Sequence, residues 1–186
     1  KWMDKFFLVE FVGDPSRSHI WSFDLNPKGA SFELKSEESI LSGVLPTGID
    51  FGPDGALYLA DWVNGWGTKN YGRVWKLDVT DQTNDLKQER LETQRLMTHN
   101  YEDDNTDNLI KLLSYDDMRI RQKAQFELAK RTFWGYRALE KALTEEENQF
   151  ARIHAIWGIG QIAAKDVDDA EPLLNLLSEE DPEIIA

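Results

Sequence analysis

Gly48-Ile49-Asp50-Phe51-Gly52-Pro53-Asp54-Gly55-Ala56-Leu57-Tyr58-Leu59-Ala60-Asp61-Trp62 decides how the first half of this chain is read. Two apolar, aromatic-bearing runs flank Gly-Pro-Asp-Gly, in which Pro presets one turn torsion and Asp-Gly tolerates the conformation a tight hairpin needs. Toward the N-terminus, Phe6 to Val12 is rich in aromatic and β-branched residues, Gly13-Asp14-Pro15-Ser16 supplies a turn, and His19 to Leu25 alternates strictly. Asn26-Pro27-Lys28-Gly29 then turns the chain into the alternating Ser31 to Lys35, and Gly72 to Asp78 completes a series of short strands. Strands at even spacing with no helix between them fit a sandwich or a propeller, and periodicity does not choose between the two.

Beyond Asp107 the period changes. Asp107 precedes Leu109-Ile110-Lys111-Leu112-Leu113, and Asp116-Asp117 precede Ile120, Ala124 and Leu128 at intervals of four. Each is a capped start followed by one apolar stripe, so the pair predicts a helical hairpin. Leu139, Ala142 and Leu143 repeat Leu109, Leu112 and Leu113, while Arg152, Ala155 and Ile159 repeat Arg121, Ala124 and Leu128; Leu173 to Ser178 begins a third copy. Such hairpins bury their apolar faces only against neighbours and stack into a solenoid with a concave side. A short HEAT-like repeat is the label that fits, because the tetratricopeptide and ankyrin signatures are missing. Between the halves, Thr80 to Asp104 is polar, with Leu86, Leu91 and Leu96 spaced to anchor a closing strand or an entry helix; the domain boundary is expected there.

Seven Trp and nine Phe are enough to build hydrophobic cores. A net charge of −13, of which −10 lies beyond Asp78, argues against a nucleic-acid surface, which needs clustered cations to displace counterions from phosphates. Arg119, Arg121, Lys123, Lys130 and Arg131 gather locally and read as a solvated face. Cys is absent, which excludes disulfides, thiolate metal sites, a cysteine nucleophile and covalent haem c attachment within these residues. No apolar run is long enough to span a membrane. The chain opens within a few residues of one strand and closes just after Asp181-Pro182 announces a helix, so a section of a longer protein is expected.

Thr47 to Trp62 resembles the blade motif of six-bladed propellers in the glucose/sorbosone dehydrogenase and NHL groups. Together with Gly29-Ala30-Ser31-Phe32-Glu33-Leu34, Asp61-Trp62-Val63-Asn64-Gly65-Trp66, Gly72-Arg73-Val74, Asp117 to Ala129 and Arg152 to Ile162, it is similar to one family. That family is the bacterial "membrane-bound dehydrogenase" group, also called haem-binding proteins of the Planctomycetes-Verrucomicrobia type. The resemblance implies β then α in two domains: 1–79, the C-terminal part of a β-propeller amounting to about one and a half blades; 80–106, a linking or closing segment; and 107–186, about two and a half HEAT-like repeats forming a solenoid. It further implies an exported, periplasmic oxidoreductase of sugars or related alcohols, with pyrroloquinoline quinone, calcium or haem c held elsewhere in the full-length protein and the remaining blades and a C-terminal haem domain as partners. No residue here matches the general-base His of quinoprotein propellers. The alternatives are a non-enzymatic module that binds polysaccharide or protein partners, and a metal-dependent lactonase; Thr47 stands where lactonase propellers carry a ligand Asn.

Asp50, Asp54 and Asp61 are the close cluster of carboxylates beside turns, and oxygen ligands suit a hard cation such as calcium. The competing reading makes Asp54 a hairpin-turn residue and Asp61 a strand end. Trp62, Asn64, Trp66 and Tyr71, in a Gly-rich loop, combine aromatic faces with polar edges able to hold a sugar, or else close a blade against its neighbour. His19 on a strand and His154 on a helix read as structural, and Arg121 and Arg152, recurring at one place in successive repeats, read as ties between hairpins.

Overall fold

Asp14 shows how the turn chemistry acts. Its carboxylate accepts from the Ser16 amide at 2.8 Å and the Ser16 hydroxyl at 2.7 Å, while its carbonyl accepts from the buried Ser18 hydroxyl at 2.9 Å. These local bonds reverse the chain between β1 (Phe6–Glu10) and β2 (His19–Lys28), which pair antiparallel, and β2 pairs in turn with β3 (Ser31–Ser42). A second sheet joins β4 (Pro46–Phe51), β5 (Leu57–Asp61) and β6 (Arg73–Leu77) in sequence order. The computed structural model describes residues 5–63, 67, 70–80, 86–144 and 148–185. The chain divides into two compact units, Lys1–Arg90 and Leu91–Ala186.

The expected propeller is corrected by this topology. A blade is a four-stranded sheet set radially about an axis. The described residues instead form two antiparallel sheets of three strands, each strand paired only with its neighbours in sequence, and no closed barrel or propeller. One reason lies in β2 and β3, read from the sequence as ending at Leu25 and Lys35. They run on as partners over ten and twelve residues, through register shifts at Ile20/Trp21 and Asp24/Leu25, into a long twisted ribbon whose outer strand is exposed for most of its length. Hairpin chemistry specifies an antiparallel pair and leaves open which sheet the pair joins. What holds is the coarse order, a mixed fold with strands first and helices after.

The helices begin with α1 (Lys87–Thr98), a 3₁₀ turn at Tyr101–Asp103, α2 (Thr106–Leu112), α3 (Met118–Lys130), α4 (Thr132–Leu143) and α5 (Gln149–Ala163), followed by the short α6 (Glu171–Leu174) and α7 (Pro182–Ile185). Short polar side chains start them. Asn105 accepts from the Asn108 amide, Asp117 from Arg119, Asn148 from Ala151 and Asp181 from Glu183, each at 2.8–2.9 Å. The core of this unit is built from the stripes read in the sequence: Leu109, Leu113, Ile120, Ala124, Leu128, Leu139, Ala142, Ala155 and Ile159 are fully buried. Cations of α3 and of the residue that caps its C-terminus satisfy carbonyls of the preceding segment. Lys123 donates to the Met97 and His99 carbonyls at 2.8 and 3.2 Å, and Arg131 to the Asp104 and Tyr101 carbonyls at 2.6 and 2.8 Å.

Between α3 and α4 there is no loop. The chain turns at Arg131, and Thr132 takes a φ of +47°, a left-handed conformation that a β-branched residue adopts at a cost on the order of 1–2 kcal/mol. Gly135 permits the close approach that follows, since a Cβ there would lie 1.8 Å from the Leu128 carbonyl oxygen. The substitution Gly135→Ala is therefore expected to cost more than about 3 kcal/mol, because backbone rather than a flexible side chain must move. Thermal unfolding of the two proteins checks this, and an unchanged melting temperature would mean that the corner is built differently.

Candidate functional site

The three aspartates of the sequence reading are placed apart along one hairpin. Asp54 sits in the β4–β5 turn, where its carboxylate accepts from the Ala56 amide (3.2 Å) and the Tyr58 hydroxyl (3.0 Å) and pairs with Lys76 at 2.7 Å. Bonding to Lys76, more than any other partner, holds its carboxyl below the usual range. Asp61 lies at the far end of β5, four residues beyond Leu57, which at about 3.3 Å per residue is on the order of 13 Å further along the strand. Asp50 is exposed on β4, opposite Tyr58, and bonds the Phe51 amide at 2.8 Å. Among the described residues no group of three His, Cys, Asp or Glu side chains comes together that could hold a metal ion.

Asp61 is engaged by donors of the protein itself. Its buried carboxylate accepts from the Leu45 amide at 3.0 Å, the Val63 amide at 2.9 Å and the Trp75 indole N–H at 2.9 Å, and faces Arg73 at 3.3 Å. Burial alone pushes this carboxyl up; the three donors and the Arg73 charge outweigh it and hold the group ionised. It thereby ties the start of β4 to β5 and β6. Trp62 and Tyr71 are 42% and 48% exposed, so each offers half a ring to solvent, whereas Asn64 and Trp66 lie outside the described residues. Replacing Asp61 by Ala leaves the buried Leu45 amide and the part-buried Val63 amide and Trp75 indole without their acceptor and should lower stability by roughly 2 kcal/mol. Denaturant unfolding measures it; a loss below about 1 kcal/mol would mean that water or another acceptor takes over.

His19 pairs with Glu10 at 3.1 Å beside the Trp21 ring on the first sheet. His99, which the sequence reading did not single out, meets Asp104 at 2.9 Å next to a depression of about 240 Å³ lined also by Arg95 and Tyr115. Its carboxylate partner would orient the imidazole for proton transfer, although the hydroxyl lining the same depression, that of Tyr115, is already bonded to Thr93 at 3.0 Å.

His154 is buried between α3 and α5. Its Nδ1–H donates to Gln125 Oε1 at 2.7 Å, and Nε2 accepts from Arg121 Nε at 3.1 Å. Arg121 is held in turn by the Tyr115 and Asp116 carbonyls at 2.7 and 2.8 Å and lies over the Phe150 ring at 4.3 Å. Burial, with the Arg121 charge added, pushes the imidazole down to about 4. As pH falls from about 6.5 to about 4, the unfolded chain binds a proton at His154 that the folded chain does not, so stability declines across that window by about 3 kcal/mol and is flat with respect to this group below it. His154→Gln should flatten that part of the pH profile in urea unfolding. Identical slopes in both proteins would mean that the imidazole is not buried in its neutral form.

The remaining feature lies at the α3–α4 corner. The tight turn throws Phe133 and Trp134 outward, 64% and 71% exposed, with their rings edge to face at 5.2 Å. Beside them is a groove of about 710 Å³ between the C-terminal ends of α3 and α5 and the start of α4, lined by Ala129, Phe133, Tyr136 and Ile162 together with the charged Arg137, Lys165 and Asp169. Aromatic residues on a helix read as core, so sequence periodicity passed over this site. The available signal was Phe133-Trp134-Gly135-Tyr136 falling between two apolar stripes and in register with neither. No protein-family model matches the chain, and no curated protein matches it.

Proposed function

We propose that the helical unit is a protein-binding module whose partner seats in the groove at the α3–α4 corner. One observation carries this reading: Phe133 and Trp134 stand exposed beside an apolar groove, in a unit whose buried Arg121, Gln125 and His154 all bond to its own helices. Large aromatics gain most by burial, and they supply the anchors of protein interfaces while polar neighbours set orientation. A left-handed Thr132 holds the pair in place, and the fold itself gains no buried area from their outward position. The oxidoreductase expectation leaned on a propeller and on groups outside these residues, so the binding alternative is the one that a specific observation favours. Among the described residues no helix is long and apolar enough to cross a membrane.

Because both rings are largely exposed, Phe133→Ala and Trp134→Ala should each leave stability within about 0.5 kcal/mol of the parent. Random peptides displayed on phage should be enriched on the parent chain and lost, or weakened at least about tenfold, on Phe133→Ala. Absence of any enriched sequence, or enrichment indifferent to both substitutions, sinks the reading.

A further inference from the structure

The outer face of α5 carries no charge. Its ionisable side chains, Arg152 and His154, are both buried and bonded inside the fold, and the residues it shows to solvent are Gln149, Phe150, Trp157, Gly160 and Gln161. A helix with one buried face ordinarily puts charge on the other, as α1, α2 and α4 do with the exposed Glu89, Asp107 and Lys141. The adjoining face of α3 is similar. Arg121 lies over the Phe150 ring, and a Cβ at Gly158 would come within 3.4 Å of Gln125 Cγ, so α3 and α5 run parallel and level. Phe126 follows Gln125 and Trp157 precedes Gly158, and at about 100° per residue both turn to the same side of the pair. Phe126 is 43% and Trp157 54% exposed, with Met118 and Phe150 at half or more. Gln122 lies between Met118 and Phe126, and the one carboxylate within α3, Glu127, is buried and paired with Arg131.

We propose that this face of α3 and α5, separate from the groove at the α3–α4 corner, is where a second copy of the chain packs about a two-fold axis. In such an interface each residue meets itself or a neighbour from the same patch, so any charge on the patch would oppose its like. Two copies of a chain of net charge −13 repel one another wherever their carboxylates meet, and neither α3 nor α5 shows a carboxylate on this side. An acidic or basic partner would find little here to pair with. Glutamine amides both donate and accept, which lets Gln122 and Gln161 of one copy bond their counterparts in the other. The area also suits a dimer. An aromatic side chain carries about 150–250 Å², so the exposed parts of Phe126, Phe150 and Trp157 with Met118 come to roughly 300–450 Å². A standard interface takes about 800 Å² from each partner, somewhat over half of it apolar, and these four side chains supply most of that apolar part.

Sedimentation equilibrium of the full chain should show a reversible dimer that tightens at least about threefold between about 50 mM and 500 mM salt, because screening removes the repulsion of two acidic chains and the face has no ion pair to lose. Phe126→Lys and Trp157→Lys each lower the net negative charge and with it the general repulsion, yet each should weaken the dimer at least about tenfold. The double variant with Lys at both positions and its counterpart with Glu at both should be monomeric alone and associate when mixed, whichever side chains meet across the axis. Phe133→Ala should leave the dimer unchanged. Circular dichroism checks that the variants fold; should the charged ones fail, Phe126→Gln and Trp157→Gln carry the same comparison with the parent. A parent that stays monomeric at every salt concentration up to about 1 mM protein overturns the proposal. So does a dimer that salt weakens, one indifferent to positions 126 and 157, or one lost with Phe133→Ala. Displayed peptides enriched on a monomeric parent and lost on Trp157→Lys would assign the face to another protein, and binding to uncharged vesicles that requires Trp157 would assign it to lipid; either overturns the second copy as its occupant.

Discussion

The approach of Gly135 to the Leu128 carbonyl is the constraint on which the helical unit depends. It joins α3 to α4 without a loop, and so fixes where α4 lies on the buried stripe Ile120, Ala124 and Leu128. No side chain fits at position 135, and the turn of backbone before it forces Thr132 into the left-handed region. The cost of that conformation is offset by the burial of Leu139, Ala142 and Leu143 one and two helical turns further on. The same geometry turns Phe133 and Trp134 away from the core. Fold and candidate site are thus two consequences of a single close contact.

Around this corner, polar groups are used as fasteners. Lys123 and Arg131 reach back from α3 to the carbonyls that end α1 and form the 3₁₀ turn. Arg121, Gln125 and His154 link α3 to α5 through hydrogen bonds that are nearly all internal, and Arg152 reaches both the Leu143 carbonyl and Glu179. Buried charge is tolerated because each donor has an acceptor, often a backbone carbonyl left over at a helix end. Asp61 plays the corresponding part in the second sheet, where three donors converge on it. Most of the hydrogen-bonding capacity of this carboxylate is thus taken up by the protein's own donors.

Much of the secondary structure is legible in the sequence. Period-two alternation and the turns at Gly13–Ser16 and Gly52–Gly55 mark the strands, and stripes at intervals of three and four mark α2, α3 and α5, because side-chain direction repeats with the backbone. Arg121 and Arg152 read as structural ties from their recurrence in successive hairpins, and His154 reads as a packed or capping histidine from its place between Ile153 and Ala155. The propeller was not there to be read, since strand signals specify local pairs and β2 and β3 lengthen through two bulges that no residue pattern announces. The groove was equally hidden. Its aromatics look like core in a one-dimensional pattern, and only the direction of α4 shows that they are not.

By itself, then, the sequence determined the order of strands and helices, the residues that bury in each hairpin, and a net charge of −13, because each depends on residues close together in the chain or on a sum over all of them. Tertiary structure alone decided how the strands group into two three-stranded sheets, what Asp50, Asp54 and Asp61 bond to, and that Phe133, Tyr136, Ile162 and Asp169 share one groove. Those outcomes rest on contacts between distant residues and on a backbone torsion at Thr132, and neither is written in any local pattern.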